Sequence, residues 1–192
     1  MTSPLPRTLH ASGQASAWVQ RWSHLVAPGG HVLDVACGSG RHARWFAARG
    51  HPLSLVDHNA EALSALTGLG EVVCADIEAG PWPFAGRVFD AVVVTHYLWR
   101  PLMPTLLASL APGGVLIYET FAQGNETVGK PSRPDFLLQN GELLRHCAEL
   151  RVVAYEDGFL PEPARFVQRI AAIREAGQPE AGLPRYALSA LP

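Results

Sequence analysis

The sequence has little charge, little lysine and little cysteine, and each scarcity removes a class of function. Charged residues make up 17% of the 192-residue chain, with a formal net charge of −2, against roughly 25% in an average globular protein. Lysine occurs once, at Lys130, among fifteen basic residues. The chain therefore lacks the cationic footprint with which a protein grips a phosphate backbone, and nucleic acid is disfavoured as a partner. Cys37, Cys74 and Cys147 are odd in number and widely spaced, without a CxxC pair. That pattern excludes a disulfide framework and a zinc knuckle, and fits a reducing compartment. The eight histidines include no HxxxH or HExxH spacing, so no metal site is expected. Apolar runs stay far below the roughly 18 to 20 residues that cross a bilayer. The opening MTSPLPRTLHASGQ lacks the basic-then-apolar order of an export signal, and a cytoplasmic protein is expected.

Apolar residues, by contrast, are present in ordinary measure at 48%, which argues against disorder of the whole chain. At roughly 150 residues per domain, the length predicts one domain over 1–192. Residues 1–12, with Pro4 and Pro6, read as a flexible arm and 177–192 as a loose tail.

Between them the pattern alternates. AWVQRWSHLV spaces Trp18, Trp22 and Leu25 or Val26 as a helix, stopped by PGG at 28–30. HVLDVAC reads as a strand, GSG at 38–40 as a turn, and RHARWFAARG as a helix. PLSLVD, NAEALSALTGLG and EVVCADI repeat strand, helix, strand, with Asn59 as an N-cap. EAGPWPFAGR is too rich in Pro and Gly for a helix. FDAVVV at 89–94 reads as a strand buried on both faces, YLWRPLMPTLLASL as a helix and VLIYETF as a strand. This rhythm predicts βαβ units and a mostly parallel sheet covered on both faces. FAQGNETVGKPSRPD is then a long connection of the kind that carries function. LLQNGELLRHCAEL reads as a helix and RVVAYEDGF as a strand. In PARFVQRIAAIREAG, Phe166, Ile170 and Ile173 fit a helix, whereas Phe166, Gln168, Ile170 and Ala172 also make one face of a strand. Periodicity alone favours the helix.

An open parallel sheet binds ligands at the carboxyl ends of its strands, where the crossovers reverse direction. Gly38 and Gly40 occupy that position after the first strand, where glycine lets a backbone approach a ligand and the helix that follows presents unpaired N–H groups. A tight turn that glycine merely permits is the competing reading. Asp34 lies inside the first strand, where an unpaired carboxylate is costly. Asp57 ends the second strand, placed to accept both hydroxyls of a ribose. Asp76 followed by Ile77 ends the third, where an acid can accept from an adenine amino group and an apolar neighbour can pack on the ring.

VLDVACGSG, LVDHN, CADI, FDAVVVTHY and LAPGGVLIYET, in this order and spacing, resemble the successive motifs of the class I S-adenosylmethionine-dependent methyltransferases. The likeness covers roughly residues 30–121, and within the superfamily the small chain is most similar to the tellurite-resistance and thiopurine-type methyltransferases. The resemblance implies an α/β, Rossmann-like three-layer sandwich: a seven-stranded, mostly parallel sheet with an antiparallel last strand. Residues 164–174 would then be a strand, against the periodicity. It also implies S-adenosyl-L-methionine as cofactor. Asp34, Gly38 and Gly40 would shape its methionine end, with Ala36 and Cys37 of the same turn. Asp57, with His58 beside it, would hold the ribose, and Asp76 with Ile77 the adenine. Thr95 and Tyr97 would line the side nearest the sulfonium.

Displacement on an activated methyl chiefly needs an aligned nucleophile and exclusion of water. THYL stands where amino-directed relatives carry a DPPY-like tetrapeptide, which points to an oxygen, sulfur, selenium or carbon acceptor, here a small molecule. His96 and Tyr97 are the candidate catalytic residues, His96 as general base. Structural hydrogen bonding and packing are the competing roles for them and for Trp99. Glu119 and Arg133 are candidate acceptor contacts, with solvated loop charge as the alternative. Trp18 and Trp22 are read as core anchors, and the cluster of His31, His42, His51 and His58 as incidental. The rival functions are an RNA methyltransferase working with a partner, a nicotinamide-dependent oxidoreductase and a non-catalytic cofactor-binding module.

Overall fold

A computed structural model describes residues 13–177 and 184–189. Seven strands form one sheet: β1 (Val32–Val35), β2 (Leu53–Asp57), β3 (Glu71–Cys74), β4 (Phe89–Thr95), β5 (Leu110–Phe121), β6 (Arg151–Pro161) and β7 (Ala164–Ile173). Their order is β3-β2-β1-β4-β5-β7-β6. The five neighbours from β3 to β5 pair in parallel, and β7 is antiparallel to both β5 and β6. From β1 the chain moves outward to β2 and β3, then returns to lay β4 on the other flank of β1. The reversal therefore falls between β1 and β4, and a ligand crevice belongs at their carboxyl ends.

Helices α1 (Ala17–Trp22), α2 (Arg41–Ala47), α3 (Ala60–Ser64), α4 (Met103–Ala108) and α5 (Glu142–His146) cover the sheet. Two apolar cores result. One gathers Val92, Val94, Leu116 and Tyr118 with Met103 and Leu106 of α4. The other gathers Leu55, Val93 and Ile117 with Trp18 and Trp22 of α1 and Phe46 of α2. Helices this short draw their stability from such packing rather than from propensity. The anchoring role expected of the two tryptophans holds: Trp18 and Trp22 meet edge to face at 5.6 Å, and Trp18 Nε1 donates to the Ile170 carbonyl at 3.2 Å.

Residues 164–173 are a strand, and the helical periodicity is overturned. Phe166, Ile170 and Ala172 enter one core, while Ala171 and Ile173 enter the other. A strand buried on both faces shows no clean alternation, so its apolar spacing imitates a helix turn. The helix expected over 137–150 shrinks to Glu142–His146, because Leu138 bridges Ala122 as an extended residue and Gly141 turns the chain at φ +67. Asn59 caps α3 as expected, accepting from the Ala62 amide. The expected flexible arm at 1–12 lies outside the described residues. Of the expected loose tail, Tyr186 packs on the α1-side core, and the Ala187 carbonyl lies 3.0 Å from His24 Nε2. Among the described residues no helix is long and apolar enough to cross a membrane, and no group of three metal-ligating side chains comes together.

Candidate active site

A cleft of about 440 Å³ opens where the strand order reverses. Ala36 lines it beyond β1, Asp57 and His58 at the end of β2, and Asp76, Ile77 and Glu78 beyond β3. His96 and Tyr97 line it beyond β4. Residues far apart in sequence thus meet because parallel strands deliver their ends to one edge of the sheet. Ala36 and His96 both have positive φ, +52 and +55, a conformation that costs a non-glycine residue about 1 to 2 kcal/mol. The strain sits on the two strands that flank the reversal, where functional sites concentrate it.

Asp34 is 1% exposed, and its Oδ2 has no hydrogen-bond partner. Burial raises its pKa from 3.8 to about 7, against the opposing pull of Arg41. Asp57 Oδ2 accepts from the Gly38 amide at 2.8 Å and Oδ1 from the Asn59 amide at 2.9 Å, which ties the glycine turn to the end of β2. His58 Nδ1 lies 3.5 Å from Asp57 Oδ1. Asp76 Oδ1 accepts from the Glu78 and Ala79 amides at 2.9 and 3.0 Å, and these backbone donors hold its carboxyl below the usual range. The Asp76 turn replaces the missing third crossover helix as the device that fixes the acid at the cleft.

The two glycines differ. A Cβ at Gly38 would meet nothing within 4 Å, whereas one at Gly40 would run into the Leu66 side chain. Gly40 therefore serves the close packing of α2 beside α3 rather than approach to a ligand. Cys37 is buried, its amide donating to the Val56 carbonyl at 3.1 Å, and burial pushes its thiol up. Asp34, Cys37, Gly38, Gly40 and Thr95 are not among the residues that line the cleft; the Thr95 hydroxyl faces His42 Nδ1 at 3.4 Å. His42 Nε2 accepts in turn from the Ser16 amide at 3.3 Å. Burial, then Arg41 and His96, push His42 down to about 3, so a neutral ring joins the N-cap of α1 to the end of β4. His42 thus has a structural link, and it lines neither cavity.

His96 also borders a second cavity of about 270 Å³, shared through Glu78 and Tyr97 and completed by Leu98, Thr120 and Phe121 with Pro131 and Phe136 of the long connection. Arg41 Nη2 stands 3.4 Å from His96 Nδ1. A guanidinium only donates, so that contact places the Nδ1 lone pair toward Arg41. The Tyr97 hydroxyl is buried without a partner of hydrogen-bonding geometry, and burial, then the Glu78 carboxylate, raise its pKa. Trp99 packs against the α4-side core. Glu119 is buried and paired with Arg169 at 3.3 Å, and Arg133 pairs with Asp135 on the surface. Neither lines either cavity. The residues that sequence reasoning missed are Arg41, Glu78, Phe121, Pro131 and Phe136. Arg41 had a signal, its place directly after GSG, while the others meet the site only through the fold.

Residues 32–114 match the family model described as "Methyltransferase domain". A 107-residue stretch is 31% identical to malonyl-[acyl-carrier protein] O-methyltransferase of Serratia marcescens, covering 51% of this chain and 41% of that protein. The chain thus spans less than half of that relative's length. Among solved structures, TehB from Haemophilus influenzae superposes with a TM-score of 0.66 at 19% identity, over 80% of this chain and 60% of that one. A SAM-dependent methyltransferase from Methanosarcina mazei gives 0.64 at 16% identity, over 84% and 99%. The [4+2]-cyclase SpnF gives 0.63 at 16%, over 88% and 86%. These structures establish the shared fold, and the cyclase illustrates that fold alone does not assign chemistry. Residues 32–114 thus carry a methyltransferase-domain match, and the chain has the fold of the solved SAM-dependent methyltransferases.

Proposed function

We propose that the protein transfers a methyl group from S-adenosylmethionine to a small-molecule acceptor. The observation that carries this reading is the pair of adjoining cavities that share Glu78, His96 and Tyr97: one site for the cofactor, one for the acceptor, and a common wall where transfer would occur. The residues present fit the cofactor. The buried, unpartnered Asp34 Oδ2 suits its amino group, since a buried carboxylate needs a donor or a positive charge. Asp57 retains lone pairs for ribose hydroxyls beyond the two amides it accepts. Ile77 and Asp76 offer an apolar face and an acceptor for adenine. When bound, the cofactor supplies a methyl group already activated by a sulfonium.

The chain's own task is then to align the acceptor and exclude water. Left-handed backbone at His96 directs the chain between the two cavities, and the His96 amide donates to the Glu119 carbonyl at 2.9 Å, holding that turn to β5. With Arg41 Nη2 placed to donate at Nδ1, that nitrogen of His96 is already engaged as an acceptor. It serves as general base only if Arg41 withdraws. Calorimetry with S-adenosylmethionine and S-adenosylhomocysteine tests the assignment: binding of both is expected, and no binding of either at millimolar concentration refutes it.

A further inference from the structure

The second cavity also has a chemistry of its own. A dry apolar cavity of about 150 Å³ holds a benzene ring, so about 270 Å³ takes one ring with a few substituent atoms. Leu98, Phe121, Pro131 and Phe136 give it flat apolar walls. No lysine or arginine lines it, and its one carboxylate is Glu78. Two guanidiniums stand behind the lining residues rather than among them. Arg133 pairs with Asp135 at 2.8 Å and stacks 5.1 Å from the Phe136 ring, while Arg41 reaches the His96 ring at 3.4 Å. An anionic acceptor would meet like charge at Glu78 with no cation in the wall to offset it. A neutral O–H, by contrast, can donate to that same carboxylate. The wall is also built in advance. Asn125, 1% exposed, donates to the Pro131 carbonyl at 2.9 Å and accepts from the Phe166 amide at 3.2 Å. The Leu138 amide donates to the Phe121 carbonyl at 3.0 Å.

We propose that this cavity is the acceptor subsite and that it selects an uncharged single-ring molecule bearing a hydroxyl, a phenol in chemical class, over carboxylates and oxyanions. The proposal rests on the methyltransferase reading, and its test separates the two. Binding of 4-methylphenol, 4-methylbenzoate and selenite to the full chain is measured by calorimetry and saturation-transfer NMR, with and without S-adenosylhomocysteine. The phenol is expected to bind about tenfold or more tightly than either anion, because the anions meet like charge at Glu78 with no lysine or arginine lining the cavity. Phe136→Ala should weaken the phenol by about fivefold or more through lost wall contact. Phe136 is 38% exposed, so the variant keeps its fold. Glu78→Gln should narrow the gap between phenol and benzoate to about threefold or less, because it removes the repelling charge and keeps a hydrogen-bond acceptor. Benzoate or selenite binding as well as the phenol, no phenol binding at all, or an unchanged phenol affinity in Phe136→Ala would each overturn the proposal. If S-adenosylhomocysteine fails to bind while the phenol still binds selectively, the cavity's selectivity stands, and its role as acceptor subsite falls with the methyltransferase reading.

Discussion

Asp34 offers a prediction in which binding chemistry and stability oppose each other. The fold holds its carboxyl at a pKa of about 7 instead of 3.8, chiefly through burial, with Arg41 and the Ala43 amide pulling down and Asp57 pushing up. A folded pKa above the unfolded one means that the native state binds the proton more tightly, so stability falls as pH rises from about 4 to about 7 and then levels off. About three pK units correspond to roughly 4 kcal/mol at most. Integrating the linkage between pH 5 and pH 8 leaves about 2 to 3 kcal/mol in that window. Asp34→Asn removes the titration and keeps the shape. At pH 5, where native Asp34 is largely protonated, the variant and the parent should differ by less than about 1 kcal/mol, because both carry a neutral, incompletely bonded group. At pH 8 the variant should be more stable than the parent by about 2 kcal/mol in the absence of ligand. Urea unfolding of both proteins at pH 5, 6, 7 and 8 measures this directly, and other titrating groups cancel in the difference. A variant-minus-parent difference that stays flat with pH would refute the reasoning. The same substitution should weaken S-adenosylhomocysteine binding at pH 8, since the carboxylate that destabilises the empty protein is the group proposed to receive the ligand's amine.

Gly40→Ala should cost about 2 to 4 kcal/mol, from a left-handed backbone and a Cβ driven into Leu66. Gly38→Ala, with the same backbone demand and open space, should cost only about 1 kcal/mol; thermal unfolding separates them, and equal losses would contradict the packing role of Gly40. Asn125→Ala leaves the Pro131 carbonyl and Phe166 amide without partners, a loss of about 2 to 3 kcal/mol that should also speed limited proteolysis within 122–136. Glu142 accepts from Arg100 at 2.7 and 3.0 Å and from the Gln139 amide at 2.7 Å. Burial raises its pKa, but these donors outweigh it and the net direction is down. Its stabilisation is therefore complete above the ordinary glutamate pKa of about 4.3 and fades below it. Glu142→Gln should cost about 2 kcal/mol at pH 7, with the gap to the parent narrowing at pH 3 to 4 in urea unfolding.

How much of this could be read from the sequence depends on how local the controlling physics is. The parallel half of the sheet was legible because each strand carries its own signal: an apolar β-branched run, then a glycine turn or an acid at its end. VLDVACGSG and LVDHN place Asp34, Gly38 and Asp57 with no knowledge of the rest of the chain, and the backbone donors that later satisfy Asp57 come from the same turns. β7 was not legible from periodicity because its two faces enter different cores. There the superfamily resemblance corrected a reading that residue spacing alone could not. Thr95 shows the limit of a local reading: its side chain faces His42, and the next residue, His96, lines the cleft.

The acceptor side was least legible, and the cause is geometric. Glu78 comes from the connection after β3, Phe121 from the end of β5, and Pro131 and Phe136 from the connection that follows it. What brings them together is the reversal of strand order, which leaves a crevice beyond β4 and β5, and the pinning of the 122–136 connection by Asn125 to β7. The backbone carries one trace of this arrangement that sequence cannot print. Ala36 and His96 hold left-handed conformations on the two strands at the reversal, each at a cost of about 1 to 2 kcal/mol that glycine would largely avoid. Strain of that size at two positions lining one cleft needs compensation from elsewhere in the fold. If the compensation lies in ligand contacts as well as in packing, Ala36→Gly should stabilise the empty protein by roughly 1 kcal/mol and weaken S-adenosylhomocysteine binding, as the turn loses the preorganisation that alanine imposes. A variant more stable but equal in affinity would mean that the strain is merely tolerated, and that the cleft is shaped by the strands alone.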